Sequence, residues 1–248
     1  LLIAKALALT KHIRFGTGVT LLAMHEPVYL AHRLAMLDHL SRGRFNWGIG
    51  LGGIPTDMAL MGLNPAEARD RAVEALDVVL GLWQGDSTYA HEGRFYNVKA
   101  PKFNPVTERG LHMKPLQQPH PPIGVAGLST NSDTLKMAGE MGFIPMSLNL
   151  NPAYVGTHWT AVEEGAKRSG RTPHRREWRM VREVFVAETD EKAWELSVGG
   201  MMACDVHGKN HHRQELLTDG LCSHCARLRS WRSHHFGELR KPGRTCID

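Results

Sequence analysis

Glycines at the ends of apolar runs are the residues of this 248-residue chain best suited to hold a ligand. Gly16 and Gly18 lie at the end of the run from Ile13 to Val19. Gly50, Gly52 and Gly53 follow Phe45–Ile49, and Gly127 follows Pro121–Ala126. Glycine takes positive φ and lets backbone approach a ligand closely. Each one alone reads as a tight turn, but three clusters on successive runs point to a site. Ser129 and Thr130, just past Gly127, add hydroxyls. A helix expected to start at Ser129 would also present free amides to an anion. Met146, Ser147 and Asn149 end the following apolar run and are expected to line the same pocket, the plainer alternative being that Met146 is simply core. His25 reads either as a substrate-facing group or as a helix-start residue beside Pro27, and His32 and His39 read as structural or solvent-facing. No Ser–His–Asp set and no carboxylate pair is recognisable, so no catalytic residue is assigned.

The elements that must position these residues alternate. A helix over Leu1–Thr10 leads to a strand at Ile13–Val19, a helix at Pro27–Leu40 and a strand at Phe45–Ile49. The helix has its apolar residues on one broad face, and two strands joined by such a helix should run parallel. Pro55–Leu63 reads as a loop. Asn64-Pro65 starts a helix that runs to about Trp83, with Asn as N-cap and Pro in the first turn. Tyr89–Val98 reads as a hairpin turning at Gly93, inside an insertion near 85–120. Then follow a strand at Pro121–Ala126, a helix at Ser129–Met141, a strand at Gly142–Leu148 and a helix from Asn151-Pro152 to about Gly170. A strand at Arg179–Ala187 and a Thr189-capped helix to about Val198 close the series. Such alternation means α/β with one parallel sheet, and fits an open doubly wound sheet as well as a barrel.

Composition narrows the class. The chain is 42% hydrophobic and 22% charged, enough for a sizeable core. It has no apolar run long enough to span a bilayer, and Lys5 interrupts Leu1–Leu9, so no signal peptide is expected. The net charge of +5 is spread among interspersed acids, without an aromatic-studded basic stripe. An enzyme with an anionic cofactor is therefore preferred to a nucleic-acid binder. All four cysteines (Cys204, Cys222, Cys225, Cys246) lie in the tail, which fits a reducing, cytoplasmic setting without a disulfide framework. Cys204-x2-His207 with Cys222-x2-Cys225 has zinc-ribbon spacing. The tail nevertheless lacks the strand pattern and apolar staples of a ribbon, so no metal site is expected. Residues 203–248 are rich in Cys, His and Arg, as an out-of-frame translation would be. They are expected to be poorly ordered and not part of the barrel.

The blocks GTGV, HEPV, LDHLSRGRF and GIGLGG, then PPIGVAGLSTNSDTLKMAGEMGFIPMSLNLNP and REVFVAETDEKA, resemble the bacterial-luciferase family of flavin-dependent monooxygenases, most closely its limonene and alkane monooxygenase branch. The resemblance implies a TIM (β/α)8 barrel, incomplete here, with about five barrel strands in residues 1–202. Family elements are expected to precede Leu1 and to follow Val198. It implies reduced FMN and O2 acting on a small apolar organic substrate, electrons from a separate NAD(P)H:flavin reductase, and homodimerisation of the full-length protein. An F420-dependent hydride transfer of the same superfamily, or an inactive barrel fragment, is the alternative. By the same resemblance Gly18-Val19 is where a non-proline cis peptide supports the isoalloxazine ring. Gly50, Leu51, Gly52, Gly127, Leu128, Ser129 and Thr130 fall at the flavin phosphate, with Leu51 where some members carry a basic residue. Met146 and Ser147 fall near the ring.

Overall fold

A computed structural model describes residues 1–198, apart from 87, 103, 108–112, 149–151 and 182–185. The chain divides into two units, Leu1–Arg182 and Glu183–Asp248. The Cys/His tail, and with it the zinc-ribbon spacing, lies outside the described residues, as does Asn149.

In the first unit, helix α1 (Leu2–Leu9) leads to β1 (Phe15–Gly16) and β2 (Thr20–Leu21), then α2 (Pro27–Ser41) and β3 (Phe45–Gly50). The short α3 (Pro55–Leu60) and the long α4 (Ala68–Gln84) precede a hairpin of β4 (Ala90–Glu92) and β5 (Asn97–Lys99). Then come β6 (Ile123–Gly127), α5 (Asp133–Met141), β7 (Ile144–Leu148), α6 (Pro152–Arg168) and β8 (Arg179–Val181). The second unit contributes α7 (Asp190–Val198), where the Thr189 hydroxyl accepts the Lys192 N–H at 3.2 Å. That is the cap its position predicts.

Every barrel strand is parallel, in the order β1-β3-β6-β7-β8, with β2 also on β3. β1 and β2 hold one strand position between them, so the sheet has five positions, half of a barrel. Parallel order places every strand's carboxyl end, and so every glycine cluster, at one rim. Helices on one face make the core. Phe45, Trp47 and Ile49 of β3 and Ile123 and Val125 of β6 pack against Leu30, Leu34, Leu76 and Val79 of α2 and α4. Trp47 and Trp83 meet edge-on, 5.3 Å between centroids, and the Trp83 indole donates to Ala31 O.

Local chemistry explains the boundaries. Glu26 caps α2 by accepting the Tyr29 N–H, Pro27 opens it, and Arg42 ends it in the left-handed region at φ 54°. Asn64 caps a 3-10 turn, Pro65–Glu67, that leads into α4. Three expectations need correction. Pro55–Leu60 is helical rather than loop, because Pro55 can open a turn and Asp57 sits in its first turn. The first strand is not continuous but broken between Gly16 and Thr20. The helix expected from Ser129 begins at Asp133, four residues later, with buried Ser132 as its N-cap residue.

Candidate functional site

Side chains alternate across a strand, so the residues between the core positions face away from the helices. On β3 and β6 these are Asn46, Gly48, Gly50, Gly124 and Ala126. Gly48 and Gly124 stand side by side in the register, followed by Ile144. On these two strands the inner face near the carboxyl-end rim therefore has a floor of glycines and one alanine. Two groups lie on it. Met146, partly buried, passes over Gly124, where an added Cβ would come within 2.9 Å of its Sδ. The segment Thr17–Val19 lies over β3: a Cβ at Gly48 would overlap the Thr17 carbonyl oxygen, and one at Gly50 would meet the Val19 side chain at 2.9 Å.

The break between β1 and β2 is what brings that segment inward. Phe15 pairs with Phe45 and Thr20 with Ile49, so five residue steps on one strand oppose four on the other. The extra residue is a bulge, and the Gly18–Val19 peptide within it is cis. Where the backbone ladder is interrupted, the Thr17 side chain replaces it. Its hydroxyl donates to Gly48 O at 2.7 Å and accepts the Gly48 N–H at 3.0 Å.

The sequence-derived residues divide into two groups. Gly18 and Gly52 border open space, with no atom within 4 Å of an added Cβ. Val19 and Gly50 meet across the inner face, and Met146 joins them there. Leu128, Ser129 and Thr130 are exposed at the same rim. Three others are turned away. Leu51 is 5% exposed and belongs to the apolar core. Gly127 faces outward, where an added Cβ would overlap Leu135 of α5. Ser147, expected near the ring, is fully buried on the helix side. It accepts from the Trp178 indole N–H at 2.8 Å and pairs with His158 Nδ1 at 2.8 Å. Strand alternation is the reason: if Met146 faces in, Ser147 faces out.

Two anchors from α6 were not read from the sequence. The Thr157 hydroxyl accepts the Asn131 N–H at 2.8 Å, and His158 Nε2 meets Ser129 O at 3.0 Å. Thr134 donates to Ala126 O at 2.7 Å, fixing the other end of the loop. The only sequence signal is a Thr-His pair six residues into a helix, which without the fold reads as an ordinary amphipathic turn. His25 follows the Leu22–Met24 turn, and its backbone carbonyl accepts from the Tyr96 hydroxyl at 3.3 Å. Burial, helped by the nearby Arg33 charge, lowers its pKa from 6.5. His39 is exposed and bonded to Lys114 O. Among the described residues no group of three or more His, Cys, Asp or Glu is placed to hold a metal, and no helix is long and apolar enough to cross a membrane.

The arrangement can take a flat, partly apolar body against Val19 and Met146 and an anion at the exposed 128–131 loop. Residues 1–234 match the family of luciferase-like monooxygenases, a longer stretch than the blocks recognised by eye. The chain is 33% identical to 4-hydroxyprotoasukamycin monooxygenase of Streptomyces nodosus subsp. asukaensis, over 82% of this chain and 54% of that protein. It is 34% identical to limonene 1,2-monooxygenase of Rhodococcus erythropolis, over 77% of this chain and 47% of that one. The oxygenating constituent of 3,6-diketocamphane monooxygenase from Pseudomonas putida, solved with FMN, superposes with a TM-score of 0.74. It is 30% identical, covering 82% of this chain and 57% of that one. An F420-dependent secondary alcohol dehydrogenase, 23% identical with a TM-score of 0.58, shares the fold. The chain spans about half the length of the curated relatives it matches.

Proposed function

The chain belongs to the luciferase-like monooxygenase family, and from that premise we propose that its glycine-floored rim holds FMN and that the whole protein oxygenates a small apolar organic substrate. The observation that carries this reading is the inner face. Val19 and Met146 cover its glycine floor with apolar side chains, Gly18 and Gly52 border open space, and the exposed Leu128–Thr130 segment stands at the same rim. Reduced FMN supplies the electrons and the reactivity toward O2. The chain's own residues bind and orient. Val19 and Met146 offer apolar contacts to a ring, and the open backbone at Gly18 lets one approach. Gly52 and the hydroxyls of Ser129 and Thr130 stand where a phosphate would be met by neutral donors.

Electrons would come from a separate NAD(P)H:flavin reductase. The name of the Pseudomonas relative as an oxygenating constituent supports that division of labour. Homodimerisation through the first helices belongs to the same proposal: Leu2, Leu9 and Leu40 are 82%, 78% and 62% exposed there. The half-barrel unit and a separate tail, divided near residue 202, are proposed as the domain plan, in a cytoplasmic setting.

Fluorescence titration of the purified chain with FMN, riboflavin and F420 tests the reading. FMN should quench on binding and be preferred to F420, and reduced FMN with an apolar terpene-like compound should consume O2. Preference for F420 would replace the reading with hydride transfer. A chain that binds no flavin would leave an inactive half-barrel.

A further inference from the structure

We propose that His158, which touches no part of the inner face, is the positioning residue that presets the 128–131 loop to receive the flavin phosphate. The inference rests on the FMN reading above and adds a residue to it. His158 is fully buried on α6, yet each ring nitrogen has a defined partner. Those partners fix the direction of the bonds. The Trp178 indole N–H can only donate, so Ser147 Oγ accepts from it at 2.8 Å. The Ser129 carbonyl at 3.0 Å can only accept, so His158 Nε2 carries a hydrogen. In the neutral ring Nδ1 then accepts, at 2.8 Å, the hydrogen of Ser147. The result is a one-way chain, Trp178 to Ser147 to His158 to Ser129, linking the β8 edge, β7, α6 and the rim loop. Buried polar groups joined in this way leave no donor idle and hold a single geometry.

The chain has a use at the rim. Ser129 is exposed, and its carbonyl would be free to rotate into the site and present a negative dipole to an anion. Held by His158, that carbonyl points back toward α6. Two residues further on, Asn131 lies at φ 46° with its N–H on Thr157. The loop is thus pinned on both sides of Thr130, whose hydroxyl stays at the exposed rim. Ser147 is accounted for as well. It acts through His158 rather than by touching the flavin.

Affinity of the full 248-residue chain for FMN against riboflavin reads the phosphate contact alone, since both carry the same ring. The unaltered chain should prefer FMN. In His158→Asn the amide can reach only the Ser147 side. The lost bond to Ser129 should cut the FMN-over-riboflavin preference about tenfold, as expected for one buried hydrogen bond, while riboflavin affinity stays level. His158→Gln extends an amide N–H to the Nε2 position and should restore most of the preference. A purely structural role would weaken both flavins together and would not be rescued by Gln. Circular dichroism melts establish that both variants are folded. Should His158→Asn not fold, Thr157→Val and the histidine 15N shifts of the unaltered chain decide instead: a reduced preference and an Nε2–H tautomer support the proposal, and either an unchanged preference or an Nδ1–H tautomer overturns it. An unchanged preference in folded His158→Asn also overturns it. Failure of the unaltered chain to bind either flavin sinks the FMN reading itself, a distinguishable result.

Discussion

The two halves of the rim are shaped by opposite means. On the β1–β3 side the surface is shaped by side chains that are missing: Gly48 and Gly50 let the bulge between β1 and β2 lie directly on β3. On the β6–β7 side the loop is shaped by groups that are present, a set of hydrogen bonds from Thr134, Thr157 and His158. The difference matches what each half would bind. A flat ring is recognised by shape, which needs empty, rigid volume. A phosphate is recognised by aimed donors, which need a loop that cannot swing its carbonyls inward. Perturbations should therefore act as overpacking on one side and as loss of aim on the other.

The largest effect is expected from Gly48→Ala. The new methyl would overlap a backbone carbonyl, that of Thr17, which cannot rotate away as a side chain could. Overpacking of this kind should cost about 3 kcal/mol, roughly 6–12 °C in melting temperature for a chain of this size. Calorimetry reads it, and a melt within 2 °C or so of the unaltered chain would deny that the bulge rests on β3. Thr17→Val keeps the shape and removes both bonds to Gly48. The backbone groups left unpaired should cost about 1–3 kcal/mol, measurable by urea unfolding. The same substitution on the loop side, Thr157→Val, frees an N–H at an exposed residue that water can reach. It should cost no more than about 0.5 kcal/mol and show itself in FMN preference only. Equal losses at the two threonines would erase the contrast between the halves.

Gly52→Ala separates space from stability. An added Cβ there meets nothing within 4 Å, so the melt should move within about 0.5 kcal/mol while FMN affinity falls. The smallest effect is a pH slope on the ring side. His25, just past β2, has a folded-state pKa below 6.5, from burial and then Arg33. The unfolded chain thus binds the proton more readily, and the contribution is present above about pH 6.5 and lost as pH falls below it. A shallow decline in stability below that pH should vanish in His25→Gln, and a slope of the opposite sign would place the ring in a different environment.

Much of the fold was legible because hydrophobic period and capping residues are local signals. The Asn64-Pro65 start, the helix from Pro27, the αβ alternation and the Thr189 cap all appear where those residues predict. The glycine clusters could be seen, but not their direction. Whether Gly50 or Gly127 faces the ligand depends on strand phase, and the phase became visible only once Phe45, Trp47 and Ile49 were seen to pack on α2 and α4. Ser147 and Leu51 face the helices for that reason. The bulge was hidden because Ile13–Val19 reads as one apolar strand, and the extra residue emerges only in register with β3. His158 was hidden because its partners, Ser147 and Ser129, lie 11 and 29 positions away, and no spacing rule joins a helix to a strand and a loop.

The most direct test is an experimental structure of the chain soaked with FMN. The account predicts the isoalloxazine on the inner-face side of the rim, against Val19 and Met146 and beside Gly18, with the phosphate beside Ser129 and Thr130. A flavin on the helix side of the sheet, or at the opposite rim, would contradict it.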